Sequence, residues 1–351
     1  MTSLLFYISS VLISIIGCGL SNNWILVWLW VELNSLALIP ILSSNVTPRS
    51  IEATSKYFLF QAAGSAILLF GILLRNYNID NLYISGPYSL LELFIIIFAL
   101  TMKMGIFPNH FWFIDVMQGI NFIGGFFVAI LSKIIPIYLI ISISGNPNQV
   151  ILNVIGISSV VIGSIFGVQQ TQLRKLIALS SVAHLGWMII IFATTGNNWL
   201  GITLFFSYAI MVTPLFWAGN MFSIEHLSKT INLSNNSMLN TTMCLTILSI
   251  AGFPPLLGFF YKWIMFLSIV QTENFLIISI LILASLFSLY FYIQICLSFY
   301  MTYWPTIKIG FNNFYSNKPV GHYLHEQPSR QNILLFYLIW IVSPLSSFWN
   351  L

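Results

Sequence analysis

Charge is what this sequence has least of. Among 351 residues there are 12 Lys or Arg and 8 Asp or Glu, 6% of the chain. A soluble domain carries about 25% charged residues, so this chain cannot cover a water-facing surface. That excludes a cytosolic enzyme, a nucleic-acid binder and a disordered polymer. Cysteine is scarce as well. Cys18, Cys244 and Cys296 lie in separate apolar runs, without the spacing of a metal site or a disulfide framework. No phosphate loop or dinucleotide fingerprint is present, and Gly124-Gly125 opens an apolar run without following a strand. The chain itself is therefore expected to bind no nucleotide, flavin, iron–sulfur cluster or other metal. No Lys or Arg precedes the apolar stretch Ser3 to Leu20. The basic start of a secretory signal is missing, and the stretch reads as a retained membrane helix.

Long apolar runs are what the sequence does have. Hydrophobic residues make up 58%, and mean hydropathy is +0.92. A spanning helix needs about 20 mostly apolar residues. Eleven such runs can be read: 3–20, 24–42, 57–74, 90–107, 123–143, 151–169, 176–194, 200–222, 242–270, 275–301 and 332–349. Polar or turn residues separate them, as at Ser21-Asn22-Asn23. The runs are too long, and too lacking in period-two alternation, for a barrel. With the N-terminus on side A, that side receives Arg49, Lys56, Arg174, Lys175, Lys229, Lys308, Lys318 and Arg330, and side B only Arg75. The positive-inside rule makes side A the cytoplasm-equivalent compartment. An odd number of spans places the C-terminus on side B.

Two runs are interrupted. The ninth contains Gly252-Phe253-Pro254-Pro255, where Pro254 and Pro255 remove backbone donors and break the helix. The fourth ends in Lys103-Met104-Gly105-Ile106-Phe107-Pro108-Asn109-His110, with Gly105 and Pro108 as the breakers. In a bilayer such breaks survive only where protein buries them or they line a wet cavity. Five positions apart, the two helices cross in opposite directions. This predicts one all-α transmembrane domain over 1–351, built from inverted five-helix repeats at about 3–143 and 151–301. A loop at 302–331 and a last helix at 332–349 follow. Broken helices at matching positions point to the ion path of a transporter, although prolines can also merely kink packed helices.

Four ionisable residues fall inside the spans: Glu32, Lys103, Lys133 and Lys262. Each costs about 2.5–3.5 kcal/mol at a helix centre on insertion scales. Desolvation favours a neutral amine and a nearby carboxylate favours a charged one, so a lysine between those influences can exchange a proton. The four are the candidates for a proton relay; static ion pairs that orient helices are the other reading. His184, beside Ser180 and Ser181, can pass a proton or hydrogen-bond within the core. His110, just past the first break, could extend the path to solvent. His322, His325 and Glu326 lie between Pro319 and Pro328 and read as a solvated loop.

The segments Lys103 to Trp112 and Gly252 to Trp263, with Glu32 in Trp28-Leu29-Trp30-Val31-Glu32-Leu33-Asn34, resemble the antiporter-like membrane subunits of respiratory complex I. That family is shared with cation/proton antiporters. The resemblance is clearest from the second span to the ninth, and animal mitochondrial members lack the family's first helices. By motif, Glu32 matches the family's glutamate, Lys103 and Lys262 the lysines of the two broken helices, and His110 its loop histidine. Lys133 takes the place of the bridging lysine. Many relatives carry a proline where Ile114 stands here, while Asp115 keeps the acid that follows it.

The resemblance implies a proton-translocating core subunit without a redox centre of its own. Its partners would be other membrane subunits of complex I, antiporter-like neighbours among them, and lipids, with no nucleic acid. NAD, FMN, iron–sulfur clusters and ubiquinone would be bound elsewhere in the complex. The location implied is the mitochondrial inner membrane, with the N-terminus in the matrix and the C-terminus in the intermembrane space. A stand-alone antiporter and a structural scaffold are the alternatives.

Overall fold

Helix starts are written into the polar joints between the apolar runs. α1 (Thr2–Leu20) ends before Ser21-Asn22-Asn23, and α2 (Trp24–Leu42) begins where the Asn23 side chain accepts the Ile25 N–H at 3.0 Å. α3 (Pro48–Ile79) opens on Pro48, whose missing donor costs nothing in a first turn. There Thr47 and Ser50 bond each other's backbone reciprocally. α3 stops at Asp80, which is left-handed at φ 51°. α4 (Leu90–Met104) starts on the same reciprocal device between Ser89 and Glu92.

Then follow α5 (Phe111–Gly119), α6 (Phe122–Phe126), a π-helical turn (Phe127–Leu131), α7 (Ser132–Ile143), α8 (Gln149–Val168), α9 (Leu173–Thr195), α10 (Asn198–Phe222), α11 (Ser237–Ala251), α12 (Leu257–Val270) and α13 (Phe275–Met301). The computed structural model describes residues 2–45, 47–84, 86–143, 149–195, 198–222, 237–254 and 256–301. Among these there is no β-strand; Asn23 and Tyr83 form an isolated antiparallel bridge.

The molecule is an all-α polytopic membrane protein. Ten of the eleven expected spans correspond to helices, and seven described spans, with α6, the π-helical turn and α7 taken as one, are each long and apolar enough to cross a bilayer. The eleventh span, the loop 302–331 and Pro255 lie outside the described residues. Two boundaries differ from the sequence reading. α3 begins nine residues before the apolar run at 57, so Arg49, Glu52 and Lys56 occupy its first turns and not a loop. The hydropathy of the run marks the stretch that suits lipid, while the helix continues into its polar ends.

The fourth crossing also runs on past 107. Along α3, Asn78 meets Glu92, Gln61 meets Lys103, Tyr57 and Phe60 meet Trp112, and Lys56 meets Asp115. α4 and α5 together therefore run antiparallel to one continuous helix. The break is a turn inside the crossing.

α9 is the central element: 94% of its apolar window is buried, against 22–67% for the other spans. It packs tightly on α8 because glycines face each other. A Cβ on Gly156 would lie 3.0 Å from the Gly186 carbonyl oxygen.

Candidate functional site

Both broken helices end in the same turn. Gly105 and Gly252 are left-handed, at φ +67° and +82°. At the first break the Gly105 N–H donates to the Met102 carbonyl at 3.2 Å and the Ile106 N–H to the Thr101 carbonyl at 3.2 Å. At the second, Gly252 donates to Ser249 at 3.1 Å and Phe253 to Leu248 at 3.1 Å. This is the paired 5→2 and 6→1 bonding of a Schellman stop. Gly252 was not among the breakers expected from sequence; Pro254 and Pro108 lie in the connectors after the glycines.

A helix end inside a bilayer exposes carbonyls and the negative end of the helix dipole, equivalent to about half a charge. The protein meets that demand with side-chain donors, and a lysine stands at each break. Lys103 lies in the last turn of α4, with its amine donating to the Gln61 carbonyl at 3.2 Å. Gln61 returns a bond from its side chain to the Lys103 carbonyl at 3.1 Å. Trp112 Nε1 donates to the Met102 carbonyl at 3.0 Å. At the second break Lys262, half-buried in α12, reaches back and donates to the Ala251 carbonyl at 2.7 Å.

Lys133 stands in the second position of α7, directly after the π-helical turn. It is 1% exposed; its amine donates to Ser181 Oγ at 3.2 Å and lies 4.0 Å above the Phe113 ring. Ser181 and His184 are three residues apart in α9 and so share a face. The His184 ring lies 5.3 Å from Tyr208 and 5.5 Å from Tyr261, and within electrostatic reach of Lys262. A cavity of about 10 Å³ between them is lined by Ser164, His184, Lys262, Ser288 and Tyr292, at the lower limit for one water molecule. Nδ1 of His184 and the Tyr261 hydroxyl are buried without hydrogen-bond partners among the described residues, and the buried Tyr208 hydroxyl lies within reach of Ser181. α9 thus carries a polar thread from Lys133 in the first half to Lys262 in the second.

Glu32 is set apart from this thread. It is half-buried on α2, Oε2 has no partner among the described residues, and the residue lines an otherwise apolar groove with Phe6, Leu29 and Leu36. Lys103 and Tyr57 are in its electrostatic reach. None of the four intramembrane charges is held in an ion pair among the described residues. His110 is 2% exposed, beside Phe111 and the Pro108 backbone, and so lies inside the protein and not at a surface. Sequence reading missed Gln61, Trp112, Tyr208 and Tyr261 as members of this network. Gln61 was the one with a signal, an amide inside an apolar run.

A family model described as NADH:quinone oxidoreductase/Mrp antiporter, TM, matches residues 21–288. The chain belongs to this family. It is 38% identical over 282 residues to NADH-ubiquinone oxidoreductase chain 2 of Gallus gallus, covering 78% of this chain and 79% of that one. To the protein of the same name from Squalus acanthias it is 36% identical over 309 residues, 84% and 86% of the two chains. A chain of respiratory complex I from Thermus thermophilus with bound aureothin shares the fold, with a TM-score of 0.83 at 20% identity over 98% of this chain and 78% of that one. A chain of the Mrp complex from Dietzia does so with a TM-score of 0.73 at 18% identity, covering 82% and 59%. The antiporter-like resemblance read from the segments around Gly105 and Gly252 is established at the level of the family and of its chain 2 relatives.

Proposed function

We propose that this chain is a core, non-redox membrane subunit of a mitochondrial NADH:ubiquinone oxidoreductase. In this reading it moves protons across the inner membrane through Glu32, Lys103, Lys133 and Lys262, with His184 and His110 as further stations. The observation that carries the proposal is a buried or half-buried lysine at each helix break, with no carboxylate fixed on either among the described residues. The helix end supports the ammonium form and burial opposes it. A lysine so balanced responds to a charge arriving nearby, whereas an ion pair would hold it charged.

NADH oxidation and quinone reduction would occur on cofactors bound by other subunits. Glu32 lines a groove along α1 and α2, which supports the reading that a neighbouring membrane subunit acts on it. The N-terminus would face the matrix and the C-terminus the intermembrane space. The family likeness to Mrp antiporters keeps a stand-alone cation/proton antiporter as the second reading. Copurification of the chain with flavin- and iron–sulfur-bearing subunits decides between the two.

Lys133 tests the relay most directly. Lys133→Met removes the titrating amine, and Lys133→Arg keeps a permanent positive charge because arginine does not deprotonate in proteins. Both should remove this chain's share of the protons pumped per NADH oxidised in complex of verified composition. Near-normal pumping in the Arg variant, with loss in the Met variant, would make Lys133 a structural charge.

A further inference from the structure

Cys244 and Cys296 are 52 residues apart and carry no sequence signature, yet the fold brings them together. Cys244 stands midway along α11 and Cys296 near the end of α13. Cys296 Sγ donates to the Cys244 carbonyl at 3.4 Å, and Cys244 Sγ lies 4.0 Å from the Cys296 carbonyl. Each thiol thus faces the backbone of the other cysteine. Cys244 is 8% exposed, Cys296 is half-buried, and neither is oxidised. The third cysteine, Cys18, is buried in α1.

We propose that Cys244 and Cys296 form a dithiol site for one soft, thiol-seeking centre of the trivalent arsenic class, which bridges α11 and α13. Thiol sulfur is a soft ligand, and two sulfurs presented together bind such a centre far more tightly than either alone. With an organic arsenoxide the arsenic–oxygen bond opens and two arsenic–sulfur bonds form. Both thiol protons leave with the oxygen as water. Arsenic stays trivalent and neither sulfur is oxidised, so no oxidant is required and a reducing compartment does not oppose the reaction. Met243 and Ile247 beside Cys244, and Tyr292 and Ile295 before Cys296, are buried apolar or aromatic neighbours that suit a phenyl-substituted reagent. A bridge here fixes the half-helix whose last carbonyl receives Lys262.

The test uses phenylarsine oxide on the intact purified complex, followed by a monothiol wash and mass measurement of this chain. One adduct should survive the wash and be released by a dithiol. It should persist in Cys18→Ser and be lost in Cys244→Ser and in Cys296→Ser. In wild-type complex, which needs no variant to assemble, phenylarsine oxide should protect both cysteines together from later alkylation, leaving Cys18 unaffected. Absence of an adduct on this chain, its retention in either single variant, or protection of one thiol without the other would each overturn the site. The readout is covalent mass, so its failure is separate from any failure of the proton-relay reading.

Discussion

At Gly105 and at Gly252 the chain makes the same left-handed turn, but ten residues later stands Asp115 in one case and Lys262 in the other. Asp115 lies at the rim, 51% exposed, beside Lys56. Lys262 turns inward to the end of α11. In the first half the cation at the half-helix end comes from the helix itself, two residues before the glycine. In the second half it comes from the helix after the break. The shared backbone device therefore specifies a negative helix end inside the membrane, not the element that supplies the amine. What the halves have in common is electrostatic, and motif spacing alone does not show it.

The largest difference between the halves should appear on filling the glycines. Alanine at a left-handed position costs about 1–2 kcal/mol. At Gly105 the new Cβ would also lie 2.6 Å from Phe113 Cβ, a buried group held on α5, and overpacking adds about 1–3 kcal/mol. At Gly252 the nearest atom, at 2.9 Å, is Cδ of the flexible Lys262 chain, which can give way. Gly105→Ala should sharply reduce the assembled complex, while Gly252→Ala should lower its thermal midpoint modestly. Native electrophoresis and thermal inactivation of the two variants would show this. Equal losses would mean that the surroundings of the two turns do not differ as described.

Removing the amines should separate the halves next. Lys262→Met leaves the Ala251 carbonyl at a buried helix end without its donor, a cost of about 1–3 kcal/mol. Lys103→Met leaves the Gln61 carbonyl inside the continuous helix α3 and removes a charge that burial disfavours. Both variants should lose proton pumping per NADH, but only Lys262→Met should also lower the yield of assembled complex. Lys262→Arg should restore assembly without restoring pumping. Normal pumping in Lys103→Met would remove Lys103 from the relay.

Much of this architecture was legible beforehand. The span count rests on hydrophobic length, and hydrophobic length is what a bilayer enforces. The caps at Thr47 and Ser89 are local patterns that a sequence displays directly. Gly105 and the prolines announced the breaks. The partners that complete the site were not legible, because they come from elsewhere in the chain. Gln61 reaches Lys103 across 42 residues and Ser181 reaches Lys133 across 48. A bulky aromatic such as Trp112 or Tyr261 reads equally well as membrane packing until its polar atom is located. Arg75 shows the same limit. Counted as the lone side B loop charge, it is 1% exposed near the end of α3, 4.0 Å over the Tyr88 ring and bonded to the Tyr83 carbonyl. Arg75 therefore stands inside a helix and not in a loop, and it is buried; counting charges showed neither.

Asp115→Asn is the smallest and most discriminating change. By position Asp115 corresponds to Lys262, so a relay organised by strict repeat symmetry would make it essential. The geometry argues otherwise. Asp115 and Lys56 are partly exposed, 3.3 Å apart, and Lys56 keeps Glu52 at 2.9 Å when the Asp115 charge is removed. Exposed pairs of this kind contribute little. Assembly and pumping per NADH should both match wild type within error, and added salt should not separate the two proteins. A fall in pumping comparable to that of Lys103→Met would place Asp115 on the path. The polar cavity of about 300 Å³ lined by Arg49, Glu52, Lys56, Asp115, Gln118 and Gln172 would then be the mouth of that path on the N-terminal side. The two halves would be alike in chemistry as well as in backbone.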